Sequence, residues 1–246
     1  MRTARLSARR LALAVIVAVL CWYDEPAGCL YENVHSLRGV ADHLVAVDGA
    51  FALYPDGRPR SPQAQAVAIA GACETAGLGL TLHRPTELWQ GNEVHKRSFS
   101  YRLARQLAQP ERDWIIPIDG DERVVRAPSD LQARLAAVEE DVAEVEFVER
   151  KDLEYRYPVR RFYRCLRQFS VKGAHYVHTG LRGQERVWLW GHDHHHPLAA
   201  AASLADAVTI EHRLDQRGAQ RAAARVGYYA ARNDAGLEEL TSWRKG

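Results

Sequence analysis

The segment Asp113-Trp-Ile-Ile-Pro-Ile-Asp-Gly-Asp-Glu122 constrains this chain more than any other. Trp114 to Ile118 is a short run of large apolar residues, the pattern of a strand buried on both faces. It runs straight into Asp119, Gly120, Asp121 and Glu122, so three carboxylates stand within four positions at the end of a core strand. In open α/β sheets the carboxyl ends of the strands are where ligands bind. Carboxylates this close repel one another and need a compensating cation. Oxygen donors suit a hard divalent ion, Mg2+ or Mn2+, which would in turn hold a substrate's phosphates. Asp and Gly are also ordinary turn residues, so a solvated turn after the strand is the plain alternative.

The preceding residues supply the sheet that such a strand requires. Ala14 to Cys21 reads as a first core strand, followed by the turn Trp22-Tyr-Asp-Glu-Pro26, whose Pro suits the opening of a helix. Ala27 to Arg38 carries Leu30, Val34 and Leu37 at helical spacing, Gly39 stops it, and His43 to Asp48 is a second buried strand ending in Asp-Gly. Strand, helix, strand is a βαβ unit with a right-handed crossover and a parallel pair. Phe51 to Pro62 is turn-rich. Gln63 to Ala76 is helical, Gly79 to Leu82 is a third strand, and Glu93 to about Ala108 is an amphipathic helix ended by Pro110. The second half is less regular. It reads as a helix at Ser129–Glu140 capped by Ser129 or Asp130, a half-exposed strand at Val142–Val148, and a strand at Ser170–His178. A strand at Val208–His212 then precedes an Arg-bearing helix, Gln216 to Asn233.

Composition excludes more than it selects. There are 33 basic against 31 acidic residues, a formal charge of +2, so nothing points to a polyelectrolyte partner such as nucleic acid. Cys21, Cys29, Cys73 and Cys165 show neither zinc spacing nor a disulfide framework. Met1 to Arg10 holds four Arg ahead of an apolar run, Leu11 to Leu20, which is like a signal peptide. No small-residue cleavage site follows, however, and the run is short of the roughly 20 residues that span a bilayer. Residues 1–12 are therefore read as a basic tail and 13–246 as one domain of a cytoplasmic protein.

Taken together, Trp22-Tyr-Asp-Glu25, Val47-Asp48-Gly49, Asn92-Glu-Val-His-Lys-Arg97 and the Asp113–Glu122 segment resemble a GT-A glycosyltransferase of the family 2 type, including those of bacteriophages and actinobacteria. The resemblance covers Ala14 to Glu122 well and the rest loosely, and it implies a nucleotide-sugar-binding half at residues 13–122 and an acceptor-binding half at 123–246. It implies a Rossmann-like α/β fold with a mixed, mostly parallel sheet flanked by helices. It also implies a hexosyltransferase-like activity on a nucleotide-sugar donor, with Mn2+ or Mg2+ bound. Tyr23 and Glu25 would contact the base and ribose, and Asp48 would accept from either. Arg97, with Lys96, would reach the nucleotide. Asp119 would touch the ribose or metal, and Asp121 would ligate the metal that bridges the diphosphate. His212, at the end of an apolar strand, would complete the metal site, as a C-terminal His does in such enzymes. Each has a plainer rival: a half-buried aromatic for Tyr23, a turn for Asp48-Gly49, a solvated helix face for Lys96, a surface position for His212.

An inverting reaction needs a general base for the acceptor hydroxyl. Glu149, Asp152 and Glu154 follow the alternating strand at about the right place, and Glu185 is a further candidate. Arg160 to Tyr163, with Trp188 and Trp190, offers an aromatic acceptor face or part of a core. His192, His194, His195 and His196 read as an exposed loop, since no regular element aims four neighbouring His at one ion. The acceptor, whether protein, glycan or lipid, is left open. A nucleotidyltransferase is the rival enzyme, but it would carry a Gly-rich, Lys-containing loop after the first strand, where this chain has Tyr-Asp-Glu-Pro. A non-catalytic nucleotide- or sugar-binding protein of the same fold is the other rival.

Overall fold

Ile16–Cys21 (β1) is apolar throughout because it lies mid-sheet between two parallel neighbours, with helices or further strands over both faces. The computed structural model describes residues 13–91, 93–150, 154–172, 177–190, 198–213 and 219–234. After β1 the chain forms α1 (Ala27–His35), β2 (His43–Val47), α2 (Gln63–Ala76), β3 (Gly79–His83), α3 (Glu93–Leu107) and β4 (Trp114–Ile118). These match the expected elements to within a few residues at their ends. Then come β5 (Glu122–Arg126), α4 (Leu131–Ala137), β6 (Val142–Arg150), β7 (Glu154–Arg164), β8 (Arg167–Lys172), β9 (Val177–Arg182) and β10 (Glu185–Trp190). The last elements are β11 (Ala201–Ser203), β12 (Thr209–Arg213) and α5 (Ala219–Asp234).

Among the described residues nine strands form one sheet in the order β3-β2-β1-β4-β7-β6-β12-β5, with β11 on β6. Five of its pairings are parallel and three antiparallel, so the α/β fold is mixed and mostly parallel, as expected. Alternate residues of β1 feed two cores. Ile16, Ala18 and Leu20 pack with α1, α2 and α4, while Val17 and Val19 pack with α3 and with β8 and β10 of a separate three-stranded sheet. The chain builds outward from β1 to β3 on one side, then returns with β4 on the other. The point of reversal, between β1 and β4, is where such sheets open a crevice. Pairing of β4 with β7 covers only Trp114 and Ile115, and Pro117, with no N–H to offer, falls where that pairing has lapsed.

Three expectations for the second half are corrected. The Ser129–Glu140 helix is shorter, and the Asp130 carboxylate accepts from Arg134 Nε at 2.9 Å instead of capping. The strand expected at Ser170–His178 is two antiparallel strands, β8 and β9. Glu122 belongs to β5, whose short length gave no periodicity to read.

Candidate active site

A cleft of about 880 Å³, its open mouth included, lies at the reversal point. The ends of β1 and β4 form its floor through Cys21, Trp22, Tyr23, Glu25 and Asp119–Asp121. Lys96 and Arg97 enter from the first turns of α3, and Tyr228 and Tyr229 of α5 close one side. The aromatic wall is continuous. Tyr23 meets Tyr54 edge-on with centroids 5.2 Å apart, and Phe51 stacks on Tyr228 at 5.2 Å.

The acidic segment between β4 and β5 is a tight turn, closed by a bond from Glu122 N to Asp119 O at 2.9 Å. Two neighbours and one of its own carboxylates fix it. Buried Asn33 of α1 donates to Asp119 O at 2.9 Å and to Glu122 O at 2.5 Å. Arg213 N of β12 donates to Asp121 O at 2.7 Å, and the Glu122 carboxylate accepts from Asp119 N at 2.9 Å. Gly120 packs closely, because a Cβ there would stand 3.0 Å from the Glu25 carboxyl carbon and would push that side chain aside. A turn held by α1, by β12 and by its own Glu122 presents its side chains in a preset geometry, which electrostatic catalysis needs.

The protein supplies much of the positive charge that these carboxylates require. Arg97 donates to Asp119 Oδ1 at 2.7 Å, and Arg161 of β7 pairs with Glu122. Burial pushes Asp119 up, but Arg97 and Arg161 outweigh it and hold the carboxyl below its usual range. Glu122 moves the other way: burial raises it, and the neighbouring Asp119 adds to the rise against Arg161. His212 Nε2 stands 3.4 Å from Asp121 Oδ2, and its Nδ1 stands 3.9 Å from Glu149 Oε1. Glu149 also accepts from Tyr157 Oη at 3.2 Å.

The other expected residues divide. Tyr23 and Glu25 line the cleft, the Tyr23 hydroxyl accepting from Arg58 N at 2.9 Å and its pKa raised chiefly by burial. Asp48 was expected to meet base or ribose. It is fully buried, accepting from Gly49 N, Ser61 N, Ser61 Oγ and Arg84 Nε, so its oxygens serve the loop after β2. Lys96 is no solvated face: it is buried, with Nζ donating to Trp22 O and Gly49 O. Of the expected metal set Asp119, Asp121 and His212, Asp119 accepts from Arg97 through Oδ1 and Asp121 lies against His212. Among the described residues no group of three or more His, Cys, Asp or Glu could hold a metal ion. Asp121 and His212 are the two that come together.

Of the candidate bases, Glu149 reaches this centre. Glu154 pairs with Arg156 on an exposed stretch, and Glu185 is exposed at the start of β10. Asp152 and His192–His196 lie outside the described residues. Phe162 and Tyr163 are core residues rather than an acceptor face, although Arg161 between them and Arg160 does reach the site. Asn33, Phe51 and Tyr228 were not singled out for the site, and Arg161 was read only with its neighbours as an acceptor face. Their roles depend on contacts across 39 to 177 positions of sequence, which local pattern does not carry.

No family model matches the chain, and no curated protein matches it. Solved structures do match, among them a protein from Bacillus anthracis named as a glucose-1-phosphate thymidylyltransferase and bound to sucrose. The likeness has a TM-score of 0.34 at 8% identity, over 61% of this chain and 69% of that one. A likeness that weak says nothing of what this chain does. No helix among the described residues is long and apolar enough to cross a membrane.

Proposed function

We propose that the chain is a glycosyltransferase that moves a sugar from a nucleoside-diphosphate-sugar donor to an acceptor hydroxyl. One observation carries this: Asp121 and His212 meet at 3.4 Å beside the Arg97–Asp119 pair, at the mouth of a strand-end cleft walled by aromatic rings. The pair Asp121 and His212 fits a divalent ion that takes its remaining ligands from water and a diphosphate, the usual habit of Mg2+ and Mn2+ in phosphate sites. When bound, such an ion stabilises the negative charge that a diphosphate leaving group gathers. Arg97, already at the site, adds a second positive charge for the same purpose. Tyr23 and Glu25 hold the nucleoside on the β1 side. Glu149, beside His212, is the group the fold offers as base for the acceptor hydroxyl.

The test is the melting temperature of wild type and Asp121→Ala with nucleoside diphosphates and nucleotide sugars, with and without Mn2+. A ligand that binds only the folded state must raise it. A rise with one nucleotide that needs the metal and vanishes in Asp121→Ala supports the donor site and identifies the base. Folded wild type that responds to no nucleotide ends the proposal. Release of a nucleoside diphosphate from the donor, rather than of pyrophosphate, separates sugar transfer from nucleotidyl transfer.

A further inference from the structure

Lys96 is 3% exposed, yet its ammonium does not hang free in the cleft that it lines. Nζ donates to Trp22 O at 2.6 Å and to Gly49 O at 2.7 Å. The position of those carbonyls gives the bonds their meaning. The parallel ladder between β1 and β2 ends at Cys21 and Val47, with one further bond from Trp22 N to Val47 O at 3.0 Å. Beyond it the chains diverge, one toward Tyr23 and Glu25, the other toward Ala50 and Phe51. The ammonium supplies the next crosslink where backbone pairing has stopped. It also lies 5.6 Å from the centroid of Phe51, the ring on which Tyr228 stacks.

We propose that Lys96 is a positioning residue of the cleft, whose charged ammonium clasps the turns after β1 and β2 rather than binding the ligand itself. The clasp sets the separation at which Tyr23 and Glu25 face the cleft and seats Phe51 beneath α5. Bonds from a cation are roughly twice as strong as neutral ones, so loss of the proton loosens both turns. Burial pulls the Lys96 pKa down to about 8, with Cys21 of β1 and the buried Asp48 after β2 opposing and Arg97 of α3 reinforcing that fall. The clasp is therefore closed at neutral pH and slackens a little above it. Only protonated molecules then bind well, so apparent affinity falls by the protonated fraction, about tenfold between pH 7 and pH 9.

The binding arm of the test uses UDP, ADP, GDP and dTDP in turn with Mg2+, a choice that rests on the donor reading above. Titration calorimetry from pH 7 to 9 should show Kd rising about tenfold in wild type. It should stay flat in Lys96→Arg, whose guanidinium keeps its charge, and remain weak throughout in Lys96→Met. A second arm needs no ligand. Hydrogen exchange at the amides of Trp22, Ala50 and Trp89, which bond across these turns, should accelerate about tenfold in Lys96→Met beyond any change at Val19 of β1. Wild type taken from pH 7 to 9 should show the same local loss once intrinsic rates are divided out. If the pH profile moves but those amides stay protected, Lys96 touches the ligand directly and the clasp is wrong. Equal pH profiles in wild type and Lys96→Met overturn it too. Failure of every nucleotide to bind counts against the donor reading alone, and exchange then decides the clasp.

Discussion

Two strand ends flanking β1 carry the same signature, Asp48-Gly49 after β2 and Asp119-Gly120 after β4, and the fold uses them in opposite ways. Asp48 is sealed. The Pro- and Gly-rich loop that follows curls back so that Ser61 and Arg84 take up its oxygens. Gly49 allows this, at φ 105°, where a Cβ would stand 2.5 Å from Pro59 O. After Asp119 the chain goes directly into β5. Asp119 stays at the mouth, its side chain 38% exposed beside Arg97, with Asp121 lining the cleft and Glu122 buried behind it. An apolar strand followed by Asp-Gly thus brings a carboxylate to the edge of the sheet. Whether that carboxylate holds a loop or faces a ligand depends on where the next ten residues go.

The comparison breaks if Asp48 and Asp121, the aspartate that Asp119-Gly120 carries into the cleft, respond alike. Asp121→Ala should lower donor binding or turnover by about 10²-fold or more, the scale seen when a charge-stabilising group is lost, while the melting temperature without ligand barely moves. Asp48→Ala should do the reverse. It strands Arg84 and the Ser61 N–H in a buried network, costing about 3 kcal/mol in urea denaturation, with the nucleotide response retained in the folded fraction. A variant of Asp48 that stays stable but loses ligand would return it to the binding set.

Asn33 sharpens the contrast, because it is a buried side chain of α1 whose work is done on the β4–β5 turn. Asn33→Ala leaves Asp119 O and Glu122 O without that donor. It should cost about 1–3 kcal/mol and weaken ligand binding as well, since the turn it braces carries Asp121. Loss of stability with unchanged affinity would show that β12 alone fixes the turn. Nothing local in the sequence marks Asn33: it sits among helical residues, and its partners are 86 and 89 positions away. The same holds for Arg161, read with its neighbours as a sugar-stacking face, and for Tyr228, hidden in an Ala- and Arg-rich helix. From β1 through β4 the chain was legible because each parallel strand is a near-unbroken apolar run between clear helix signals. The antiparallel half was less so. Its strands are short or carry register shifts, and they interleave Arg and Glu whose pairing only the fold reveals.

The smallest effect expected is one of pH. Glu122 shares its turn with Asp119 and Asp121, and burial carries it from an ordinary 4.5 up to about 7, while Asp119 is held low by Arg97 and Arg161. The pair thus keeps its first proton on Glu122. Between those two values the folded state binds more protons than the unfolded one, so stability should fall as pH rises from about 5 to 7.5. Glu122→Gln cannot ionise, and over that range its stability should fall less than that of wild type, by on the order of 1 kcal/mol. Only the difference in slope matters, because losing the Arg161 pair shifts the whole curve. Histidines that titrate in this range cancel between the two proteins. Parallel curves would mean that Arg161 holds Glu122 ionised throughout. The open turn would then keep all three of its carboxylates charged, and the protein's own arginines, with His212, would be what makes that tolerable before any metal arrives.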